Sequence, residues 1–211
     1  PAELHEQVPV LKDVLHAMGI ATMEKAGLEA DDLLGTVAKR SEALGMEVTV
    51  LSGDRDLLQL ATEHIRIRLP KTKGGVTETE NYNTQDVIDR YQVTPLQIIE
   101  LKALMGDSAD NIPGVPGIGE KTAKSLIQQY GTIAEIYEKL DDLDLKPAVR
   151  KKLTEGREKA EMSYDLARIR CDAPIAFQPE DAVCREADRD ALYQLFLKLE
   201  FNQFIQRYGL S

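Results

Sequence analysis

Met105-Gly-Asp-Ser-Ala-Asp-Asn-Ile-Pro-Gly-Val-Pro-Gly-Ile-Gly-Glu-Lys-Thr-Ala-Lys124 decides the reading of this chain, because two acidic residues run directly into a glycine-rich hairpin that opens a helix. Asp107 and Asp110 stand one helical turn or one tight loop apart, so their carboxylates can converge on one hard cation. Gly114, Gly117 and Gly119 let backbone N–H groups approach an anion at the start of the helix expected from Glu120. A cation site joined to a phosphate site points to metal-assisted chemistry on a phosphodiester.

Outward from that stretch, the pattern changes character near Asn83. Before it, Ala2 to Met18 reads as an amphipathic helix kinked at Pro9, Ile20 to Glu24 as a short strand, and Ala30 to Leu44 as a helix closed by Gly45. Glu47 to Ser52 follows as a buried strand, Leu57 to Ala61 as a short apolar helix, and His64 to Leu69 as another strand. A turn at Lys71–Gly75 then returns the chain into a strand around Val76–Thr79, a hairpin at the sheet edge. Strand–helix alternation of this kind marks an α/β layer. After Asn83 the segments Thr84–Tyr91, Pro95–Met105, Glu120–Gln129, Ile133–Leu140, Pro147–Ile169 and Arg189–Leu199 all read as helices, with Asp172–Val183 an irregular connection. The reading is therefore two parts, 1–83 and 84–211.

A chain of 211 residues, 43% of them hydrophobic, can bury a substantial core. No apolar run approaches the roughly 20 residues of a membrane helix and no signal pattern opens the chain, so no membrane and a cytoplasmic location are expected. Cys171 and Cys184 form no CxxC pair and support neither a disulfide framework nor a zinc ribbon. A net charge of −10 argues against nucleic-acid binding over the whole surface. Local charge differs: Lys146, Arg150, Lys151, Lys152, Arg157 and Lys159 outnumber Glu155, Glu158 and Glu161 in one helical stretch. That stretch is either a basic binding face or a solvated helix face.

Three acidic clusters fall at element ends: Glu29, Asp31 and Asp32 opening a helix, Asp54 and Asp56 after a strand, and Asp107 and Asp110 after a helix. Ligand sites in α/β folds gather at the carboxyl ends of strands, where the first two clusters could meet. Two unit charges about 4 Å apart repel by roughly 4 kcal/mol at an effective dielectric near 20, so crowded carboxylates need bound cations or raised pKa values. With no His or Cys nearby, Mg²⁺ or Mn²⁺ suits such a site better than Zn²⁺. Each cluster also has a plainer reading, as helix caps for Glu29 or Asp31, turn and cap residues for Asp54 and Asp56, and an Asx turn for Asp107 and Asp110.

The stretch Pro113–Ala123 has the form of a helix–hairpin–helix turning on Gly117-Ile-Gly119, with Ile118 packed between the helices and Lys121 and Thr122 adding a charge and a hydroxyl. Together with Gly27-Leu-Glu-Ala-Asp-Asp-Leu-Leu-Gly35, Leu51-Ser-Gly-Asp-Arg-Asp-Leu-Leu-Gln-Leu60 and Leu104–Ala123, it resembles the 5′ nuclease domain of bacterial DNA polymerase I, a relative of the flap endonucleases. The resemblance covers essentially the whole chain, through Leu199-Glu-Phe201. It implies an α/β parallel-sheet nuclease core in 1–83 and a helical DNA-binding region in 84–211, with the helix–hairpin–helix near 98–130. It also implies metal-dependent hydrolysis of DNA at a 5′ end or flap, with two divalent cations and no covalent nucleophile. Carried over, Glu29 and Asp31 serve one metal with Asp32 close by, and Asp54, Asp56, Asp107 and Asp110 serve the second or lie between them. Gly114, Gly117, Ile118, Gly119, Lys121, Thr122, Lys124, Arg150, Lys151 and Lys152 fall to DNA binding. A monomer is expected, with a polymerase domain possible in the parent chain.

One departure bears on this reading. Family members begin with a hydrophobic strand ending in a metal-ligand Asp, supply another Asp after a second strand, and then carry a basic helical arch. This sequence opens at Pro1 in what resembles the end of that arch, so it reads as a fragment expected to cleave flapped DNA poorly by itself. Two rival readings follow: a DNA-junction binder without cleavage, and a haloacid-dehalogenase-type phosphatase in which Asp54-Arg-Asp56 and Gly106–Asp110 mimic that family's acidic motifs. The helical pattern of Ile98, Leu101 and Met105 ahead of Asp107 opposes the second.

Overall fold

The computed structural model describes residues 2–73 and 75–210. Along the chain run α1 (Ala2–Ala17), α2 (Ala30–Ala43), β1 (Val48–Leu51), a 3-10 helix (Arg55–Leu60), β2 (Ile65–Lys73) and β3 (Val76–Tyr82). There follow α3 (Thr84–Tyr91), α4 (Gln97–Met105), α5 (Glu120–Tyr130), α6 (Ile133–Glu138), α7 (Pro147–Glu155), α8 (Arg157–Ala167), a short 3-10 turn (Pro179–Ala182), α9 (Arg189–Lys198) and α10 (Asn202–Arg207). Two compact units divide these elements, one of residues 29–173 and one joining the segments before 29 and after 173. No helix among the described residues is long and apolar enough to cross a membrane.

The larger unit carries a mixed three-stranded sheet in the order β1-β2-β3, with β1 parallel to β2 and β2 antiparallel to β3. Alternation sets its faces: Ile65, Ile67 and Leu69 are buried while Arg66 and His64 point to solvent. Arg68 donates to Asn81 across the hairpin at 2.8 Å. β1 differs from the buried strand expected, since only Val50 is buried and Leu51 stays 64% exposed. It pairs with β2 alone among the described strands. The hairpin strands run on to Lys73 and restart at Val76, and Gly74 of the expected Lys71–Gly75 turn lies outside the described residues.

The short 3-10 helix is the crossover between the parallel strands, and Leu57, Leu58 and Leu60 anchor it in the core. Gln59 is buried beside them. Its side chain donates to the Ala167 carbonyl at 3.0 Å and accepts from the Ile169 N–H at 2.9 Å. Farther along the same segment, Asp32 accepts from Arg170 N at 2.9 Å and Thr36 accepts from Ala173 N at 3.0 Å. Side chains of α2 and the crossover thus supply the partners that a neighbouring strand would give to residues 169–173.

The helix expected over Pro147–Ile169 is two helices, broken at Gly156. A side chain at Gly156 would meet Val115 Cγ1 at 2.7 Å and the Lys152 carbonyl at 2.9 Å, so the break lets α7 and α8 close over the hairpin that carries Val115. α4 is the hub of this unit, packing on the crossover, α5, α6 and α8. Every residue from Ile98 to Leu104 is buried, including Glu100 and Lys102.

In the smaller unit, α1 packs on α9 through Ala17, Leu192 and Phe196, and Phe196 stacks with Phe204 at 5.6 Å between ring centroids. Pro9 lies inside α1 without ending it. The strand expected at Ile20–Glu24 is absent: no ladder forms there, and Ile20 and Met23 are exposed. Two apolar residues at one end of a loop do not make a strand without a partner edge. α10 and the turn at Pro179–Ala182 have no counterpart in the sequence reading.

Glu100 gives a test of the buried hub. It accepts from Ile133 N at 2.9 Å, and burial pushes its carboxyl above the usual range despite that bond. The folded protein therefore holds a proton that the unfolded chain releases, and stability falls as pH rises from the ordinary glutamate range through the raised value. Glu100→Gln keeps an acceptor for Ile133 and removes the charge. Thermal denaturation should show the variant a few degrees more stable than the parent at pH 8, with the gain shrinking towards pH 4.

Candidate metal centre and nucleic-acid interface

Asp56, Asp107 and Asp110 each offer a carboxylate oxygen within 4.8 Å of the others. They reach that point from different directions. Asp56 sits in the first turn of the crossover helix, just past the carboxyl end of the parallel strand β1, where Asp54 caps it by accepting from Asp56 N at 2.8 Å. Asp107 and Asp110 come from the loop after α4. Asp107 is fixed there by a two-way backbone bridge to Ile112, 2.9 and 2.8 Å, and its Oδ1 accepts from Ala109 N at 2.9 Å.

The loop owes its shape to two glycines in contact. Gly106 and Gly114 both have positive φ, +75° and +60°, and a side chain on Gly114 would fall 2.2 Å from the Gly106 nitrogen. Gly114 is buried, and its N–H donates to Ser163 on α8 at 2.9 Å. This corrects the reading of Gly114 as a phosphate contact: its N–H is spent inside the protein and its role is to let the loop close. Ser163 is a residue the sequence did not single out.

Lys102 is the other unforeseen participant. Its side chain, 9% exposed, sends the ammonium to Asp56, to Asp107 at 2.7 Å and to Asp110 at 3.5 Å. A lysine in a helix that is apolar on every side is the signal that could have found it. Burial pulls the Lys102 pKa down, but Asp107 and Asp56 outweigh it and hold the ammonium charged. Lys102 in turn holds Asp107 below the usual carboxylate range. Asp56 moves up, because burial and the neighbouring Asp54 and Asp110 outweigh the lysine.

Asp31, half-buried at the start of α2, is also raised, first by burial and then by Asp54 and Asp56, which places its field on the same site. Glu29 is exposed as the residue before α2 and makes no side-chain cap. Asp32 accepts from Arg170 N through one oxygen, and its charge, like that of Glu29, adds to the rise at Asp31. The structure thus gathers Asp56, Asp107 and Asp110, brings Asp31 and Asp54 into their field, and leaves Glu29 and Asp32 outside the cluster. The donor set is three hard oxygens with no nitrogen or sulfur, which fits Mg²⁺ or Mn²⁺.

The hairpin after Gly114 exposes Gly117 and Gly119 and buries Ile118, which is 3% exposed in the main core. Ile118 is a packing residue and not a ligand contact. The space around Gly119 is open, whereas the Gly117 carbonyl accepts from Lys152 Nζ at 3.0 Å. Lys121 is exposed and Thr122 and Lys124 are half-buried on α5. Of the basic residues on α7, Arg150 is withdrawn from any interface, because its guanidinium donates to the Leu140 carbonyl and, at 2.5 Å, to the Leu143 carbonyl. Lys151 is exposed and pairs loosely with Glu155 at 3.8 Å.

An acidic centre at the end of a parallel strand is thus joined by one loop to a glycine hairpin. The chain belongs to the 5′-3′ exonuclease family: residues 1–92 match its N-terminal resolvase-like domain and residues 93–190 its C-terminal SAM fold. It is 44% identical to DNA polymerase I of Bacillus caldotenax over 207 residues, 98% of this chain and 23% of that protein. With DNA polymerase I of Bacillus subtilis it shares 42% identity over 209 residues, 99% of this chain and 23% of the relative. The chain therefore spans about a quarter of the length of these relatives.

Among solved structures, T5 5′-exonuclease with bound zinc superposes with a TM-score of 0.62 at 26% identity, over 84% of this chain and 60% of that one. The catalytic core of Rad2 bound to DNA shares the fold, with a TM-score of 0.57 at 19% identity over 90% of this chain and 63% of that one. The phosphatase reading falls here, because Asp107 follows α4 and not a strand, and residues 1–190 match the two domains of the 5′-3′ exonuclease family.

The two glycines separate fold from binding. Gly114→Ala should lower the folding free energy by at least about 2 kcal/mol, because its side chain would occupy the Gly106 backbone at positive φ. Gly119→Ala should stay within about 0.5 kcal/mol of the parent. Chemical denaturation of the two variants measures both.

Proposed function

We propose that the chain is a 5′-3′ exonuclease and structure-specific 5′ flap endonuclease unit acting on DNA, of the kind carried by bacterial DNA polymerase I, and that it works with Mg²⁺ or Mn²⁺. The observation that carries this reading is the convergence of Asp56 with Asp107 and Asp110 beside the Gly117–Gly119 hairpin, in a chain of the 5′-3′ exonuclease family. Supporting it are the bacterial DNA polymerase I relatives and the T5 flap endonuclease structure in complex with DNA and metal ions. The proposal extends to a cytoplasmic protein that acts as a monomer, covalently linked to a polymerase domain.

Asp56, Asp107 and Asp110 would hold one cation, with Asp31 and Asp54 beside them for a second. Bound there, the cations supply charge neutralisation at the phosphodiester and a more acidic water. The protein's own part is to hold the carboxylates rigid, through the Asp107–Ile112 bridge and the cap of Asp54 on Asp56. The main chain at Gly117 and Gly119, with Lys121, Thr122, Lys124, Lys151 and Lys152, would hold the sugar-phosphate backbone. Such contacts give position without base choice, so DNA shape sets the cleavage point.

The test is cleavage of a 5′-labelled flap duplex by the full-length protein carrying these residues. Mg²⁺-dependent release of short 5′ products is expected, falling at least about 100-fold in Asp107→Asn and Asp56→Asn, the loss typical of removing transition-state charge stabilisation. Flap binding with no cleavage at any Mg²⁺ or Mn²⁺ concentration would favour the junction binder instead. Hydrolysis that survives in both variants would remove the assigned centre.

A further inference from the structure

Asp107 has both carboxylate oxygens engaged: Oδ1 accepts from Ala109 N at 2.9 Å and Oδ2 meets Lys102 Nζ at 2.7 Å. Each oxygen keeps a second lone pair, but a cation on Oδ2 would stand directly beside the Lys102 ammonium already there. Asp56 also meets Lys102 through one oxygen. We propose that Lys102 is an exchangeable internal counter-cation, whose ammonium holds Asp56, Asp107 and Asp110 together without metal and withdraws when a divalent ion takes its place. The inference rests on the reading of these carboxylates as a metal centre.

Three carboxylates confined within 4.8 Å repel strongly unless a positive charge lies among them. Lys102 is the cation that the structure provides, delivered from the buried hub helix by a four-carbon stem. The same position makes it a competitor. A divalent ion on these oxygens would stand beside the ammonium, and like charges at that distance cannot share the ligands. Asp110 offers the exit, because its side chain is 53% exposed and its contact with Lys102 is the longest of the three, 3.5 Å. Lys102 would thus stabilise the metal-free fold and raise the cation concentration needed for occupancy.

Lys102→Met keeps the aliphatic stem and removes the charge, and Lys102→Arg keeps a charge. Calorimetric titration of the chelator-dialysed protein with Mn²⁺ should show at least tenfold tighter binding in the Met variant, and affinity near the parent in the Arg variant. In chelator the Met variant should melt lower than the parent, and saturating Mn²⁺ should raise its midpoint by more. Equal or weaker Mn²⁺ binding by the Met variant overturns the exchange while leaving the metal centre standing. No Mn²⁺ binding by parent or variant overturns both. Should the Met variant not fold, the parent alone decides: reductive methylation of Lys102, read by peptide mass spectrometry, should rise several-fold on adding Mg²⁺, and unchanged protection overturns the proposal.

Discussion

A helix buried on every side has no surface on which to leave an ionisable group, and α4 carries two. Glu100 and Lys102 stand in its middle among Ile98, Ile99, Leu101, Ala103 and Leu104, all buried. Uncompensated, either charge would cost several kcal/mol in such surroundings. The fold answers each with a partner from elsewhere in the unit: the Ile133 N–H at the start of α6 for Glu100, and the carboxylates of the crossover and the following loop for Lys102. Much of the architecture around the centre follows from matching Lys102. Asp56 is drawn to α4 from the strand side and Asp107 from the loop side, so segments about fifty residues apart meet at one ammonium.

That meeting needs a loop that holds its carboxylates in place before any ligand arrives. Gly106 and Gly114 touch backbone to backbone, Ser163 takes the Gly114 N–H, and Asp107 is bridged twice to Ile112. The same closure fixes where the next segment starts, with Val115 and Ile118 in the core and Gly117 and Gly119 on the surface. Acidic centre and glycine hairpin are therefore tied together through one closed loop, and a phosphate held at the hairpin would lie at a position set by that loop relative to the carboxylates. Pre-set geometry of this kind is how a site gains rate from positioning.

Local pattern carries much of this in the sequence. The alternation of Ile65, Ile67 and Leu69, the glycine at the end of α2 and the apolar periods of α3 and α5 follow from residues close in the chain, and the elements form where those patterns lie. The site is legible as far as Asp54, Asp56, Asp107 and Asp110 recurring at element ends. The remainder depends on tertiary neighbours. Gly156 breaks a continuous helical pattern because Val115 needs its space, Gly114 turns inward because Gly106 lies against it, and Arg150 is drawn to the carbonyls of residues 140 and 143. Lys102 escapes the pattern for a related reason: periodicity reports which face of a helix is apolar, and α4 has no polar face to mark.

The proposed cation centre of Asp56, Asp107 and Asp110, with Lys102 exchanging for metal, is open to direct observation. Crystals soaked in Mn²⁺ and measured at a wavelength where manganese scatters anomalously would locate the ion directly. An anomalous peak within ligand distance of Asp56, Asp107 and Asp110, with the Lys102 ammonium moved out of contact with Asp107, is the predicted result. Manganese bound elsewhere, with Lys102 still seated among the three carboxylates, would contradict it.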